Sequence, residues 1–286
     1  MKTGVSASEA HDSAAIPIHI TSEAGWVPLN LKEVWEAREL LVFLAWRDLR
    51  VRYKQTILGV SWAVVKPVCL MLVFSIFLGW LARVPSDGLP YPVFTYCALL
   101  PWMLFAQTLA GVSHSIVASQ NLITKVYFPR LVIPLSSLAV GLVDFVIAAI
   151  VLFAMIMYYN MTLTGLVWAL PLFLLLALAT ALGIGLWCSA LEVRYRDVGH
   201  ALPFLTQLWL FATPVAYPLS LIPESWRIWY GLNPMASVVE GFRWSLLGAG
   251  SRPGAMCLVS VLTSLIVLVS GLYYFRRTEE TFADLV

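Results

Sequence analysis

Few side chains in this sequence could do chemistry, and most of them stand alone. Asp144 is followed by no formal charge until Glu192. A carboxylate that deep in an apolar run is a functional candidate, because a charge in hydrocarbon is costly unless something holds it. It could equally pair with a cation such as Arg243 or cap a neighbouring helix end. Glu240 and Arg243 lie three apart, so on one helix they share a face and can pair. His11, His19, His114 and His200 are scattered without metal-ligand spacing, and no metal site is expected. Cys69, Cys97, Cys188 and Cys257 fall in apolar runs, form no CxxC pair, and read as buried apolar residues. No G-x-x-x-x-G-K-[ST] occurs, so the chain holds no P-loop, and no cofactor is expected in it. Gly183-Ile184-Gly185 follows no strand and reads as a close helix–helix contact. No Ser/His/Asp set assembles. The inventory fits a conduit driven from outside itself, not an enzyme.

The elements that must position these residues follow from hydropathy. The 286 residues are 60% hydrophobic, with mean hydropathy +0.83. A soluble domain of this length has too little interior to hide that surface. A bilayer core about 30 Å thick asks for roughly 20 apolar residues per helix. On that measure the fold class is all-α integral membrane, with six transmembrane helices near residues 59–82, 94–118, 131–158, 166–191, 201–221 and 255–275. Residues 1–30 are mixed, carry Glu9, Asp12 and Glu23, and read as a cytoplasmic tail and not a cleavable signal.

Charge sets the orientation. With the N-terminus inside, the inner segments hold Lys2, Lys32, Arg38, Arg47, Arg50, Arg52, Lys54, Lys125, Arg130, Arg194, Arg196, Arg276 and Arg277. The outer segments hold Arg83, Arg227, Arg243 and Arg252. Lys and Arg favour the cytoplasmic side, so both termini are expected there. An odd number of spans would strand Arg276 and Arg277 outside. Residues 31–57 lack Gly and Pro up to Gln55 and predict an amphipathic helix in the inner interface, with Trp35 and Trp46 at headgroup depth. A cytosolic helix packed on a partner is the alternative. Residues 218–254 are apolar but broken by Pro223, Gly231 and Pro234. They predict two re-entrant outer helices between spans 5 and 6, near 223–230 and 234–247.

Four stretches resemble one family. RDLRVRYKQTILGVSWAVVKP (47–67), NLITKVYFPRLVIP (121–134), LEVRYRD (191–197) and TPVAYPLSLIPESWRIWYGLNPM (213–235) are similar to segments of the membrane subunit of bacterial polysaccharide ABC exporters. These are the type-2 permeases that move O-antigen, capsular polysaccharide or teichoic acid. The resemblance implies a homodimeric channel in the inner membrane and a separate cytoplasmic ATPase in two copies that binds Mg-ATP. It implies a lipid-linked polysaccharide as cargo and no nucleic-acid partner. Force must then arrive at the inner loops. Asn121 could cap a short helix whose Leu122, Ile123, Val126, Tyr127 and Phe128 offer an apolar face flanked by Lys125 and Arg130, with Arg194 and Arg196 adding contacts. An ordinary membrane-hugging loop is the alternative. Trp102, Phe105, Trp209, Phe211, Tyr217, Trp226, Trp229 and Tyr230 gather on spans 2 and 5 and the outer segment. Such rings could stack on the C–H faces of a sliding sugar chain; helix packing and lipid contact are their other uses. Trp80, Trp168 and Trp187 read as interfacial belts. The competing readings are an exporter of drugs or lipids, an intramembrane transferase and a passive channel.

Overall fold

The computed structural model describes residues 31–54, 59–126, 128–250, 252–279 and 282, and among these every regular element is helical. The first helix breaks for one residue, giving α1 (Leu31–Glu36) and α2 (Arg38–Lys54). Backbone bonds Ala37 N to Glu33 O and Leu41 N to Ala37 O, each 3.0 Å, carry the helical ladder across the break. Leu44 and Ala45 are buried, whereas Trp35, Val42, Phe43, Trp46 and Val51 are exposed. Apolar residues thus occupy both sides of α2, in keeping with the apolar run Leu40–Trp46 that blurs any stripe. Residues 55–57, included in the predicted helix, lie outside the described residues.

Among the described residues, five helical stretches are long and apolar enough to cross a membrane: Gly59–Leu81, Tyr91–Ala118, Val132–Tyr158, Val167–Arg194 and Ala255–Thr278. They contain α3 (Trp62–Phe74), α4 (Tyr91–Ala118), α6 (Val132–Tyr158), α7 (Leu170–Arg194) and α11 (Ala255–Thr278). Beyond Phe74 the α3 stretch widens into a π-helical coil, Ser75–Leu81. A short α5 (Gln120–Ile123) joins α4 to α6. The predicted fifth span is shorter than expected: α8 covers Asp197–Ala212, 16 residues. Thr213 is extended (φ −103°, ψ 141°) because Pro214 follows it and disfavours the helical region.

The segment after α8 forms α9 (Glu224–Tyr230) and α10 (Pro234–Leu247), at nearly the predicted bounds. The limits of α10 are written locally. The Asn233 side chain accepts from Met235 N at 3.1 Å, Pro234 takes the first turn where no donor is needed, and Gly248 closes the end at φ 67°.

α4 is the centre, packed by α6, α7, α10, α3 and α8. Its buried side chains run from Val93 to Ile116. The outward faces of the other helices are apolar: Leu72 and Phe77 on the α3 stretch, Val146 and Ile150 on α6, Leu258 and Ile266 on α11. That inside-out pattern suits lipid as solvent. The Gly183 region behaves as read. A Cβ at Gly183 would sit 2.7 Å from Leu268 Cα on α11, and one at Gly185 would meet Val112 of α4 at 2.6 Å. Small residues let these backbones close. Trp187 is a correction to the belt reading: it stacks on Tyr274 at 4.1 Å and donates to Ser270 Oγ at 3.1 Å, tying α7 to α11. Trp80 and Trp168 are exposed. Of the cysteines only Cys97 is buried; Cys69 is on the exposed face of α3, where an apolar thiol needs no protein cover.

Candidate functional site

Asp144 is neither free nor paired with Arg243. Its carboxylate takes Arg52 Nη2 at 2.7 Å, the Tyr53 hydroxyl, and Gln107 Nε2 at 2.5 Å. Arg52 and Tyr53 come from α2 and Gln107 from α4, so one acid on α6 gathers three elements. Burial raises the Tyr53 phenol to about 12, and the Asp144 carboxylate it donates to pushes the same way, so it stays a donor at physiological pH. The partners are 91 and 92 residues away in sequence, which is why reading the chain could not find them. The basic cluster ahead of α3 is therefore only partly a lipid-facing patch. Arg47 pairs with Asp48 at 2.8 Å, Arg52 with Asp144, and Arg50 lies over Trp46 at 5.6 Å. Between α2, α4 and α6 a cavity of about 370 Å³ is lined by Arg47, Arg52, Gln107, His114 and Ser137 among others.

At the same end, the C-termini of α4 and α7 meet over a second acid. Glu192 is buried, accepts from Ser113 Oγ at 2.9 Å and contacts His114 Nδ1 at 2.7 Å. Gly199, at the start of α8, lies against it; a Cβ there would come within 2.7 Å of the carboxylate. Sequence reasoning passed over Glu192 because only its basic neighbours, Arg194 and Arg196, looked available. Those two arginines are exposed.

The connecting loop differs in detail from expectation. Ser119, not Asn121, occupies the position before α5; it makes no side-chain cap, and Asn121 lies inside the helix, exposed. Ile123 is buried in a cluster with Leu44, Ile116, Leu131, Val193, Phe275 and Phe282, and Leu122 and Phe128 pack against it. The outward residues are Asn121, Lys125 and Val126, with Arg130 half-buried. Tyr127 lies outside the described residues. The C-terminal end of α11 closes the cluster: Arg276 reaches Glu279 at 2.8 Å and Glu33 at 3.7 Å.

At the other end, the eight aromatics fall into three sets. Phe105 packs edge to face on Trp209, centroids 5.1 Å apart, and tilted against Trp102 at 5.4 Å, and Trp102 and Phe105 are buried. Tyr217 and Tyr230 share a hydroxyl contact of 2.6 Å, and Tyr230 donates to Ala212 O at 2.7 Å. Phe211, Trp226 and Trp229 are exposed. Arg243 is the largest fully buried side chain. It donates to Pro214 O and Val215 O, both at 2.7 Å, lies 3.6 Å over the Phe94 ring, and keeps Glu240 at 3.6 Å as expected. Tyr91 donates to Ala216 O at 2.6 Å. The unwound stretch after α8 thus has its carbonyls taken by side chains of α4 and α10.

A helical chain with lipid-ready faces, polar knots at both ends of one central helix and a short loop between α4 and α6 defines a multi-pass membrane protein. The chain belongs to the ABC-2 type transporter family, whose model matches residues 39–247. It is similar to the O-antigen export system permease protein RfbA of Myxococcus xanthus, 32% identical over 255 residues, covering 87% of this chain and 96% of that one. An RfbA of Klebsiella pneumoniae is 30% identical over 251 residues, covering 87% and 95%. The polysialic acid transport protein KpsM of Escherichia coli is 25% identical over 242 residues, covering 82% and 91%.

Proposed function

We propose that this chain is the membrane-spanning subunit of an ATP-driven exporter that moves a lipid-linked polysaccharide, of O-antigen or capsule type, across the inner membrane through a homodimeric channel. The observation that carries this reading is similarity over nearly the full length of permeases named for O-antigen export. Hydrolysis belongs to two copies of a cytoplasmic ATPase, which supply Mg-ATP chemistry. Both termini face the cytoplasm and six segments cross.

The inner face transmits force through Lys125, Val126, Arg194 and Arg196, the residues left outward by the packing of Ile123 and Phe128. Phe211, Trp226 and Trp229 touch the glycan, and Trp102, Phe105 and Trp209 back them as a rigid wall. The test is reconstitution. Vesicles holding the permease with its cytoplasmic ATPase partner should move a lipid-linked glycan only when ATP is supplied. ATP-dependent movement of a drug-like or plain lipid substrate, with none of the glycan, would overturn the cargo. Transport by the permease alone would overturn the drive.

A further inference from the structure

The loop between α4 and α6 shares a set of charges with the last turn of α11, apart from the outward residues assigned to docking. Arg130, at the exit of the loop, is half-buried, and its Nη1 is buried without a hydrogen-bond partner. Glu279, just past α11, gives one carboxylate oxygen to Arg276 Nη1 at 2.8 Å, and its Oε2 is buried without a hydrogen-bond partner. Arg276 and Arg130 both pull on that carboxyl. Arg276 Nη2 lies 3.7 Å from Glu33 of α1. The signs therefore alternate from the loop through α11 to α1: Arg130, Glu279, Arg276, Glu33.

We propose that Arg130 and Glu279 are positioning residues, whose attraction seats the 120–126 turn on the end of α11, so that force applied to the turn moves α11 and α1 with it. This rests on the reading that an ATPase drives the chain. It adds the C-terminal end, beyond the residues 39–247 that the family model matches, to the transmitting parts.

Apolar packing alone does not fix this turn. α5 has four residues and no side-chain cap, too short to hold as an isolated helix. Leu122, Ile123 and Phe128 lie in one cluster with Leu44, Phe275 and Phe282, and such packing is non-directional. A charge pair adds geometry, and removing one partner leaves the other uncompensated. Arg130 so placed is an anchor turned inward, while Lys125 and Val126 stay outward for a partner.

Hydrogen exchange on the purified full-length permease tests the seat without cargo or ATPase. The amides of Thr124 and Val126, bonded to Gln120 O and Leu122 O at 3.1 Å, report the turn. Arg130→Met and Glu279→Gln should each speed their exchange about fivefold, the scale of one partly buried charge pair. The double variant should go no further than the faster single. Arg130→Lys should stay near wild type, and Arg277→Met, which removes an exposed cation nearby, should change nothing. Glu279→Gln keeps the side chain's shape, so it decides the matter if Arg130→Met misfolds. In vesicles with the ATPase partner, both singles should lower the glycan moved per ATP hydrolysed about fivefold, with co-purification of the ATPase as in wild type. Unchanged exchange, additive effects in the double variant, unchanged transport per ATP or weakened co-purification would each overturn the proposal. Wild-type vesicles that move no glycan with ATP would overturn the ATP-driven reading instead, and the exchange result would still decide the seat.

Discussion

At the scale of single residues, buried charge decides most of what is specific here. Asp144 and Arg52 form a partly buried pair whose acid also accepts from Tyr53 and Gln107. Removing one partner strands the other, which costs more than removing both. Asp144→Asn and Arg52→Met should each lower stability by about 1–3 kcal/mol, and the double variant by less than their sum. Thermal unfolding of the four proteins in one detergent checks this; strict additivity would mean that the contact carries no energy. Glu279 gives a pH effect of known sign. Burial raises its carboxyl above the ordinary 4.5, against the opposing pull of Arg276. The folded chain then holds that proton more tightly than the unfolded one, so stability falls as pH rises from the ordinary value through the raised one. Glu279→Gln should flatten that part of the stability–pH curve. The acid at position 144 was legible from sequence as a residue needing an explanation; its partners were not, because contacts across 90 residues leave no local pattern. The Glu240–Arg243 pair was legible because helical spacing alone predicts it.

At the scale of elements, periodicity and turn chemistry were legible and loop packing was not. The bounds of α10 follow from Asn233, Pro234 and Gly248, and the α7–α11 approach from Gly183. The loop at 119–130 looked like an outward apolar face because its composition is apolar. Composition does not say which residues turn inward, and here Ile123 fills a cluster built by α2, α4, α6, α7 and α11. The two kinds of position separate by experiment. Ile123→Ala should destabilise the permease by about 2–4 kcal/mol, the usual cost of truncating a buried aliphatic side chain. Lys125→Glu with Val126→Asp should leave the melting temperature within the range of ordinary surface changes while weakening co-purification of the ATPase. If the surface pair recruits the ATPase as wild type does, this loop is not the dock.

At the scale of the whole molecule, the number of crossings sets where every loop lies. α8 has 16 residues and rises only about 24 Å, short of a bilayer core. The segment from its first turn to Ala216 nevertheless links opposite ends of α4. Gly199 lies against Glu192, which binds Ser113 and His114, whereas Ala216 O is held by Tyr91. Tyr91 and His114 are separated by about 34 Å along a helix rising 1.5 Å per residue. Beyond Ala212 the chain leaves the helix, with Thr213 extended and Val215 N bonded back to Thr213 O at 2.7 Å, so α8 and the turn after it together run from the Glu192 side of α4 to the Tyr91 side. Unwound backbone at membrane depth needs partners from protein. Arg243 takes the carbonyls of Pro214 and Val215, Tyr91 that of Ala216, and Tyr230 that of Ala212. The buried arginine thus supplies donors to the backbone that follows the short α8, and a fifth crossing by α8, giving six in all, is the prediction to test. Thiol labelling checks the count, with the parent as blank because its four cysteines all lie within apolar helices. In intact cells, an impermeant reagent should modify Glu224→Cys and spare Arg277→Cys. A five-crossing chain gives the reverse at both positions, since α9 would stay inside and the end of α11 would emerge. Arg243→Met should shift Glu224→Cys toward mixed labelling, because the carbonyls after α8 would then face hydrocarbon without a donor.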